Sequence, residues 1–591
     1  QQLTTSDTLI GLEPGTYTVG AAPVNVTGDE YTPDITSQDV SVTAAQVASV
    51  SVTYSFSGTA TLNLTIDGLY AVQSTQRLAG TVPLIQGRDA YLRVFVTANQ
   101  ADSVQPTVRV RLYNAGAVID TFTIGAAVSQ VPTAVDEAAL ESSWNVLIPA
   151  ALIQPGLSIL AEVDPGDSIP EANETDNRFP ASGTPAPLDV RPLPTLALRF
   201  VPVYQSVTGD TGKVDLSSAD GFFDMTRRMF PLAAYDVDVR SVYTTSTVAQ
   251  SDGSGWGTIL SELLTLRNVT DESSRHYYGV VHTTYISGVS GVGYVPLAPS
   301  TEYLVAMGWD VPGSHSATMA HEVGHNFGRS HAPCGGVGSP DGSYPYANAS
   351  IGVYGLDVDS SILKSPSDFK DIMSYCSPQW VSDYTFEGIL DFRSALPAPA
   401  RGARVSPVKS LLIWGRITPD SIILEPAFEV LAAPVLPASA GPYRLEAFAA
   451  DGTRIFSYAF AGGRVLDLPG RRETHFSFLI PIADREAERP ATLRVSGIGI
   501  EATRRSAGIP QGPAMLRSAA ASATSVGASR TRIEWNGAAY PMALVREPDT
   551  GEVLSFARGG SVSVATGRSD LELILSDGVR SFALPVRVAG R

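Results

Sequence analysis

The sequence predicts a multidomain protein in which one mixed α/β (α+β) region is flanked on both sides by all-β sandwich domains. Three observations predict it. At 591 residues the chain is too long for one core, since single cores stop growing near ~250–300 residues. Both ends are dominated by short runs alternating apolar and polar residues between Gly-, Pro-, Ser- and Thr-rich turns, the pattern of half-buried strands. Only residues 193–398 alternate strand-like with helix-like runs.

Residues 1–56 read as a small β-domain. Leu12-Glu13-Pro14-Gly15 is a turn followed by alternation to Val19, and Val40 to Tyr54 alternates again. So short a unit fits a remnant of a longer one, and a start at Gln1 suggests a processed or truncated chain. Residues 57–192 form a second β-unit, with strands at Ala90–Val96 and Thr107–Leu112. Its late segment, Glu162-Val163-Asp164-Pro165 through Glu171-Ala172-Asn173-Glu174-Thr175-Asp176-Asn177, resembles the adhesion-related sandwich of bacterial surface proteins. Its acidic side chains are either a structural Ca²⁺ site or an Asx-rich turn. Pro185 to Pro194 is a linker.

From Leu196 the order is strand (Leu196–Tyr204), helix (Ser217–Phe230), strand (Tyr235–Tyr243), helix (Trp256–Arg267) and strand (Tyr277–Tyr285). The second helix carries Ile259, Leu260, Leu263 and Leu264. Gly288 to Leu297 reads as a glycine-rich strand, in which glycine marks either weak, bulged pairing or the close approach of a ligand backbone. Another helix follows, capped by Ser314 or Ser316, with Met319, Val323 and Phe327 as its apolar stripe. Trp380, Phe386 and Leu390 close the region near Leu396.

That last long helix carries the chemistry. Residues 320–334 fit H-E-x-x-H-x-x-G-x-x-H through His321, Glu322, His325, Gly328 and His331. Four residues apart on a helix, His321 and His325 project from one face and reach one ion. Gly328, lacking a Cβ, takes the positive φ that ends the helix and turns His331 back as a third nitrogen ligand. Three protein ligands leave the fourth position of Zn²⁺ open for water, the arrangement of a catalytic site, and zinc lowers the pKa of that water to about 7. Glu322 is spaced to act as its general base. Of the four other histidines, His282, His315 and His475 read as structural or loop residues.

Some 40 residues on stands Asp371-Ile372-Met373-Ser374-Tyr375-Cys376. With it the region resembles the metzincin clan of zinc endopeptidases, closest to secreted HEVGHN-type proteases, which include mucin-cleaving ones, and to pappalysin-like ones. The resemblance implies that Met373 packs beneath the histidines as the Met-turn and that Tyr375 assists the oxyanion. It also implies that Gly291, Val292, Gly293 and Tyr294 belong to an edge strand on which substrate pairs in extended form. In such a fold Cys334 and Cys376, the only cysteines, are neighbours, so a disulfide between them is expected, and with it an oxidising, extracellular setting. The loop between them, with Tyr344, Tyr346 and Tyr354, is a candidate lining for the cleft; Asp357, Asp359 and Asp368 are either ion ligands or solvated turns.

After Pro397-Ala398-Pro399, residues 399–508 and 509–591 read as two further β-units, with runs such as Leu411–Arg416, Tyr443–Phe448, Thr531–Trp535 and Leu571–Leu575, accessory to the site. The net charge of −18 is unevenly placed: residues 1–400 hold 18 Lys+Arg against 41 Asp+Glu (−23), leaving 23 against 18 (+5) behind them. An acidic front argues against nucleic acid as a partner. No apolar run reaches a membrane span. The expectation is therefore a secreted or cell-surface zinc endopeptidase acting on an extracellular protein or mucin-type glycoprotein. The alternative is a surface adhesin or filament component whose zinc domain is secondary to binding.

Overall fold

The computed structural model describes residues 8–26, 29–59, 61–270, 275–396, 406–438, 440–483, 485, 489–508 and 521–590. The Gln1 start, the Pro397-Ala398-Pro399 linker and the 508/509 boundary fall outside them at least in part. The chain forms two compact units: residues 1–192 with 354–365, and residues 193–353 with 366–591.

In the first unit, one sheet joins Trp144–Ile148, Ala90–Ala98 and Leu64–Val72; a second joins Ala117–Ile124, Val108–Asn114, Ser158–Val163 and Arg178–Phe179. Val108, Val110 and Leu112 are buried while Arg109 and Arg111 between them are not, so one face of the strand meets the core and the other meets water. Leu92, Val94 and Val96 of the first sheet share that core with Ile159, Ala161 and Val163 of the second. Two carboxylates of the acidic segment are hydrogen-bonded within the unit. Asp164 accepts from Ser168 Oγ and from the Ile169 amide, both at 2.7 Å, and Glu171 accepts from the Leu64 amide at 2.6 Å and Asn177 Nδ2 at 2.9 Å. Gly355–Asp357 and Ile362–Lys364, from the loop between the cysteines, form a hairpin of this unit, and Leu356 packs with Tyr70, Val72 and Phe95.

The second unit is built on a mixed sheet. Strand β1 (Leu196–Gln205) lies parallel to both β2 (Tyr235–Val239) and β4 (His276–Val281), and β4 lies parallel to β6 (Val305–Trp309). β5 (Gly291–Val295) runs antiparallel to β6. The run expected as one strand from Tyr235 to Tyr243 breaks in two, because the Arg240 amide turns to Phe200 O and its guanidinium reaches Glu552 and Val553 O; β3 is Tyr243–Thr245. Helices α1 (Ala219–Met229), α2 (Trp256–Val269), α3 (His315–Asn326) and α4 (Asp383–Ser394) complete the region.

The downstream strands are more intimate with this region than accessory modules would be. β7 (Val408–Ile417), β8 (Gly463–Val465), β9 (Glu473–Pro481) and β10 (Val553–Arg558) supply part of one continuous core. In it Val203, Leu260, Leu263, Tyr294 and Met307 pack with Leu412, Trp414, Leu479 and Phe556. Helix α2 is therefore covered all round, which is why Ile259, Leu260, Leu263, Leu264 and Leu266 fill more than one stripe. Its buried Glu262 meets Arg558 of β10 at 2.5 Å. Two backbone pairings join the same parts: β3 with β10 at Thr244 and Ser555, and β5 with β8 at Tyr294–Val465 and Val295–Arg464.

Candidate metal centre

Helix α3 is held against α1 by Ser316, whose Oγ accepts from the Met225 amide at 2.9 Å. Ser314 occupies the N-cap position without a side-chain cap, so neither serine caps the helix in the expected way. At the other end Gly328 takes φ +76°, its amide bonded to His325 O at 2.8 Å and the Arg329 amide to Gly324 O at 3.2 Å. This left-handed stop reverses the chain and carries His331 back toward the helix.

The three imidazoles converge, with ring centroids 4.8 Å (His321–His325), 4.8 Å (His325–His331) and 5.3 Å (His321–His331) apart. Each is steered by its Nδ1, which lies 2.8 Å from Ile372 O in His321, 2.6 Å from Arg329 O in His325 and 2.7 Å from Gly338 O in His331. A carbonyl accepts only, so each Nδ1 carries a proton and each Nε2 is the ring nitrogen left facing inward. His325 Nε2 and His331 Nε2 stand 3.2 Å apart, and His321 Nε2 is buried with no hydrogen-bond partner. Three inward ring nitrogens gathered that closely form a donor set for one shared cation. The residues thus fit a divalent metal with a preference for nitrogen, and zinc is the ion that suits them best.

A fourth donor completes the cluster. Asp467, 136 residues beyond His331, places its carboxylate 2.8 Å from His331 Nε2, 2.9 Å from His325 Nε2 and 3.7 Å from His321 Nε2, all four donor atoms lying within 4.8 Å of one another. The position expected to be open to water is taken by this carboxylate. Nothing in Val465-Leu466-Asp467-Leu468 marks a ligand except an acid set in an apolar run, and that signal gives no hint of its partner.

Glu322 is buried beside the histidines, and its Oε2 has no hydrogen-bond partner. Burial and the neighbouring Asp467 charge push its carboxyl well above the usual range. Burial lowers His325 to about 4 against the pull of Asp467. For His331, burial alone would lower the pKa, but the bond to Asp467 and its charge override that and raise it. Asp467 itself, though burial opposes it, is held well below the carboxylate range by the three imidazoles.

The glycines of β5 make room for helix α3. A Cβ on Gly291 would stand 2.6 Å from Glu322 Oε1, and one on Gly293 2.7 Å from Glu322 O, so they admit helix α3. Val292 and Tyr294 lie in the shared core, and the Tyr294 hydroxyl bonds His475 Nδ1 at 2.7 Å. All four residues are buried, and β8 pairs with the Tyr294–Val295 end of the strand, which is no free edge there.

Met373 sits under α3 where Gly324 leaves room: a Cβ on Gly324 would meet its sulfur at 2.4 Å. Its carbonyl accepts from the Ala332 amide, and its own amide bonds Asp371 Oδ1 at 2.8 Å. Cys334 and Cys376 are joined, with Cα atoms 5.7 Å apart. The Tyr375 ring lies 5.2 Å from that of His331, and its hydroxyl donates to Asp467 Oδ1 at 2.5 Å. Elsewhere, the His315 ring lies tilted against that of Phe222, centroids 4.4 Å apart, and His282 pairs with Asp310 at 3.0 Å. Tyr344 and Tyr346 bond Ser350 O and Asp383, while Tyr354 belongs to the other unit.

Among the described residues no helix is long and apolar enough to cross a membrane. Residues 215–332 match the model of the reprolysin-like metallopeptidases of family M12B. No curated protein matches the chain. Among solved structures, the CARDB domain of a Pyrococcus furiosus protein in complex with di-metal ions is similar at 17% identity, covering 23% of this chain and 97% of that one, with a TM-score of 0.14. A beta-glycosidase from Bacteroides vulgatus is similar at 9% identity over 89% of this chain and 80% of its own, also at 0.14. Scores so low carry no argument about fold or activity. The chain thus contains a metallopeptidase-like region of reprolysin type, with a three-histidine, one-aspartate cluster able to hold zinc.

Proposed function

We propose that the protein is a metzincin-type zinc endopeptidase of the extracellular space, acting on proteins or glycoproteins there. The observation that carries this is the partnerless Glu322 carboxylate beside three imidazoles whose Nδ1 atoms are all tied to backbone carbonyls. His321, His325 and His331 would hold zinc, which when bound supplies a Lewis acid for peptide hydrolysis. Glu322 would take the proton from the attacking water and deliver it to the leaving amine. Tyr375 turns its hydroxyl toward the oxyanion, and Met373 with the Cys334–Cys376 bridge fixes His331 against α3. Substrate would lie along β5 at Gly291–Tyr294. On this reading residues 193–398 are the catalytic region, and 1–56, 57–192, 399–508 and 509–591 are its β-modules.

The test compares the zinc-loaded chain with Glu322→Gln on unglycosylated proteins and mucin-type glycoproteins over long incubation, reading new termini by mass spectrometry. Loss of the general base is expected to lower the rate by about 10²–10⁴-fold. Cuts made by Glu322→Gln at the wild-type rate refute the assignment, and cuts confined to glycosylated stretches define the substrate class. The extent of β-structure in the first unit keeps an adhesin reading alive. Surface attachment retained by Glu322→Gln would show that binding and cleavage are separate roles.

A further inference from the structure

We infer that the metal centre is masked from within: the segment 463–467 lies where substrate would lie, and Asp467 occupies the position that the attacking water needs. This rests on the endopeptidase reading above and adds regulation to it.

Three features meet in one short strap. β8 pairs antiparallel with β5, Val465 opposite Tyr294 and Arg464 opposite Val295, which is the strand addition an extended substrate would make. Two residues later the chain delivers Asp467, 8% exposed, into the histidine cluster. The Tyr375 hydroxyl, the group available to a developing oxyanion, is spent on Asp467 Oδ1. One segment therefore blocks the pairing strand, the water position and the oxyanion donor together.

A permanent structural site would explain a fourth ligand but not its surroundings. Glu322 stays buried beside the cluster with an unpartnered oxygen and a second carboxylate nearby, an arrangement that costs stability and does nothing for a metal that only holds the fold together. The strap also pairs antiparallel with β9, Arg464 opposite Thr474 and Val465 opposite Glu473, so β8 lies between β5 and β9. Gly462 and Gly470, at φ +76° and +64°, bracket it; Val465 and Leu468 are its buried apolar anchors, whereas Arg464, Pro469, Gly470, Arg471 and Arg472 are exposed. The modules that carry it are anchored in the shared core by other residues, Trp414, Leu479 and Phe556 among them. Unmasking needs residues 463–468 to part from both β5 and β9 and to withdraw Val465 and Leu468, with the rest of the module left in place.

The experiment loads full-length wild type, Asp467→Ala and Asp467→Asn with Co²⁺ and records metal stoichiometry and the visible spectrum, before and after adding a small hydroxamate. Cleavage of an unstructured protein is measured in parallel on the zinc forms. In the wild type the spectrum should resist the hydroxamate. Asp467→Ala should keep one metal per chain, respond to the hydroxamate and cleave faster. A mask that leaves the open form near ~1% implies a rise of up to about 100-fold. Asp467→Asn, nearly isosteric and neutral, should fall between, and its circular dichroism should match the wild type. Loss of metal by both variants, with the fold retained, would make Asp467 a structural ligand and overturn the inference; so would a wild-type spectrum that responds to hydroxamate as fully as Asp467→Ala. If Asp467→Ala alone gains the hydroxamate response yet cleaves no protein, the mask stands and the endopeptidase reading falls.

Discussion

Replacing Glu262 by alanine should destabilise the whole second unit. Glu262 is fully buried on α2; Oε1 meets Arg558 Nη1 at 2.5 Å and Oε2 accepts from the Tyr243 hydroxyl at 3.0 Å. Removing one member of a buried pair costs about 3–5 kcal/mol because the other charge is left uncompensated. Here Arg558 keeps Glu425 at 3.1 Å and part of its side chain reaches solvent, which places the loss at the low end. The Tyr243 hydroxyl loses its acceptor as well, adding about 1 kcal/mol, so the total is about 3–4 kcal/mol. Denaturant unfolding followed by fluorescence reads this directly, since Trp256, Trp309 and Trp414 all lie in the shared core. The double replacement Glu262→Met with Arg558→Met should recover most of the loss, as apolar substitutes for a buried pair are often neutral or better. A single variant costing under about 0.5 kcal/mol, or a double variant whose cost is the sum of its parts, would refute the claim that this pair binds α2 to the downstream strands.

Two further outcomes are expected. Opening the Cys334–Cys376 bridge, which spans 42 residues, by paired alanine substitution should cost about 4 kcal/mol on the chain-entropy account and weaken metal binding at His331; an unchanged denaturation midpoint would count against it. His276 on β4 is buried with an unpartnered Nδ1, and burial, reinforced by the Arg267 and Arg393 charges, lowers it to about 3. A folded pKa below the unfolded value of about 6.5 means that stability is complete above ~6.5 and is lost as pH falls from there toward 3, by about 5 kcal/mol at the extreme. His276→Phe should flatten the unfolding profile over that window, and identical profiles for the two chains would remove His276 as the cause.

The parts of the site legible in sequence are those whose partners are local. His321 and His325 are set by helical periodicity, and Gly328 by a backbone conformation that glycine favours. The order of strands and helices from Leu196 to Asn326 was readable for the same reason, each element announcing itself within a dozen residues. Asp467 was not legible, because its role exists only through a partner 136 residues away. The glycines of β5 were visible but ambiguous, since nothing local says whether a ligand or helix α3 fills the space they leave. The core that the rear β-strands share with the histidine region is not legible in the sequence. Alternation shows that a strand has one face to bury, but not against what, and the all-round apolar character of α2 was the one local sign that something covers it.

That covering of α2 has a consequence for how the protein is made. Its partners, from Leu412 to Phe556, are synthesised long after it, and the pairings Tyr294–Val465 and Thr244–Ser555 close loops of well over a hundred residues. Loops of that length must close before their contacts reward them, so this unit folds late and as a whole. A nascent chain that has emerged only as far as the histidine motif has ligands but no finished hydrophobic core to hold them. By the time the core is complete, Asp467 is already in the chain, so the histidine cluster and its fourth donor are assembled in the same folding event.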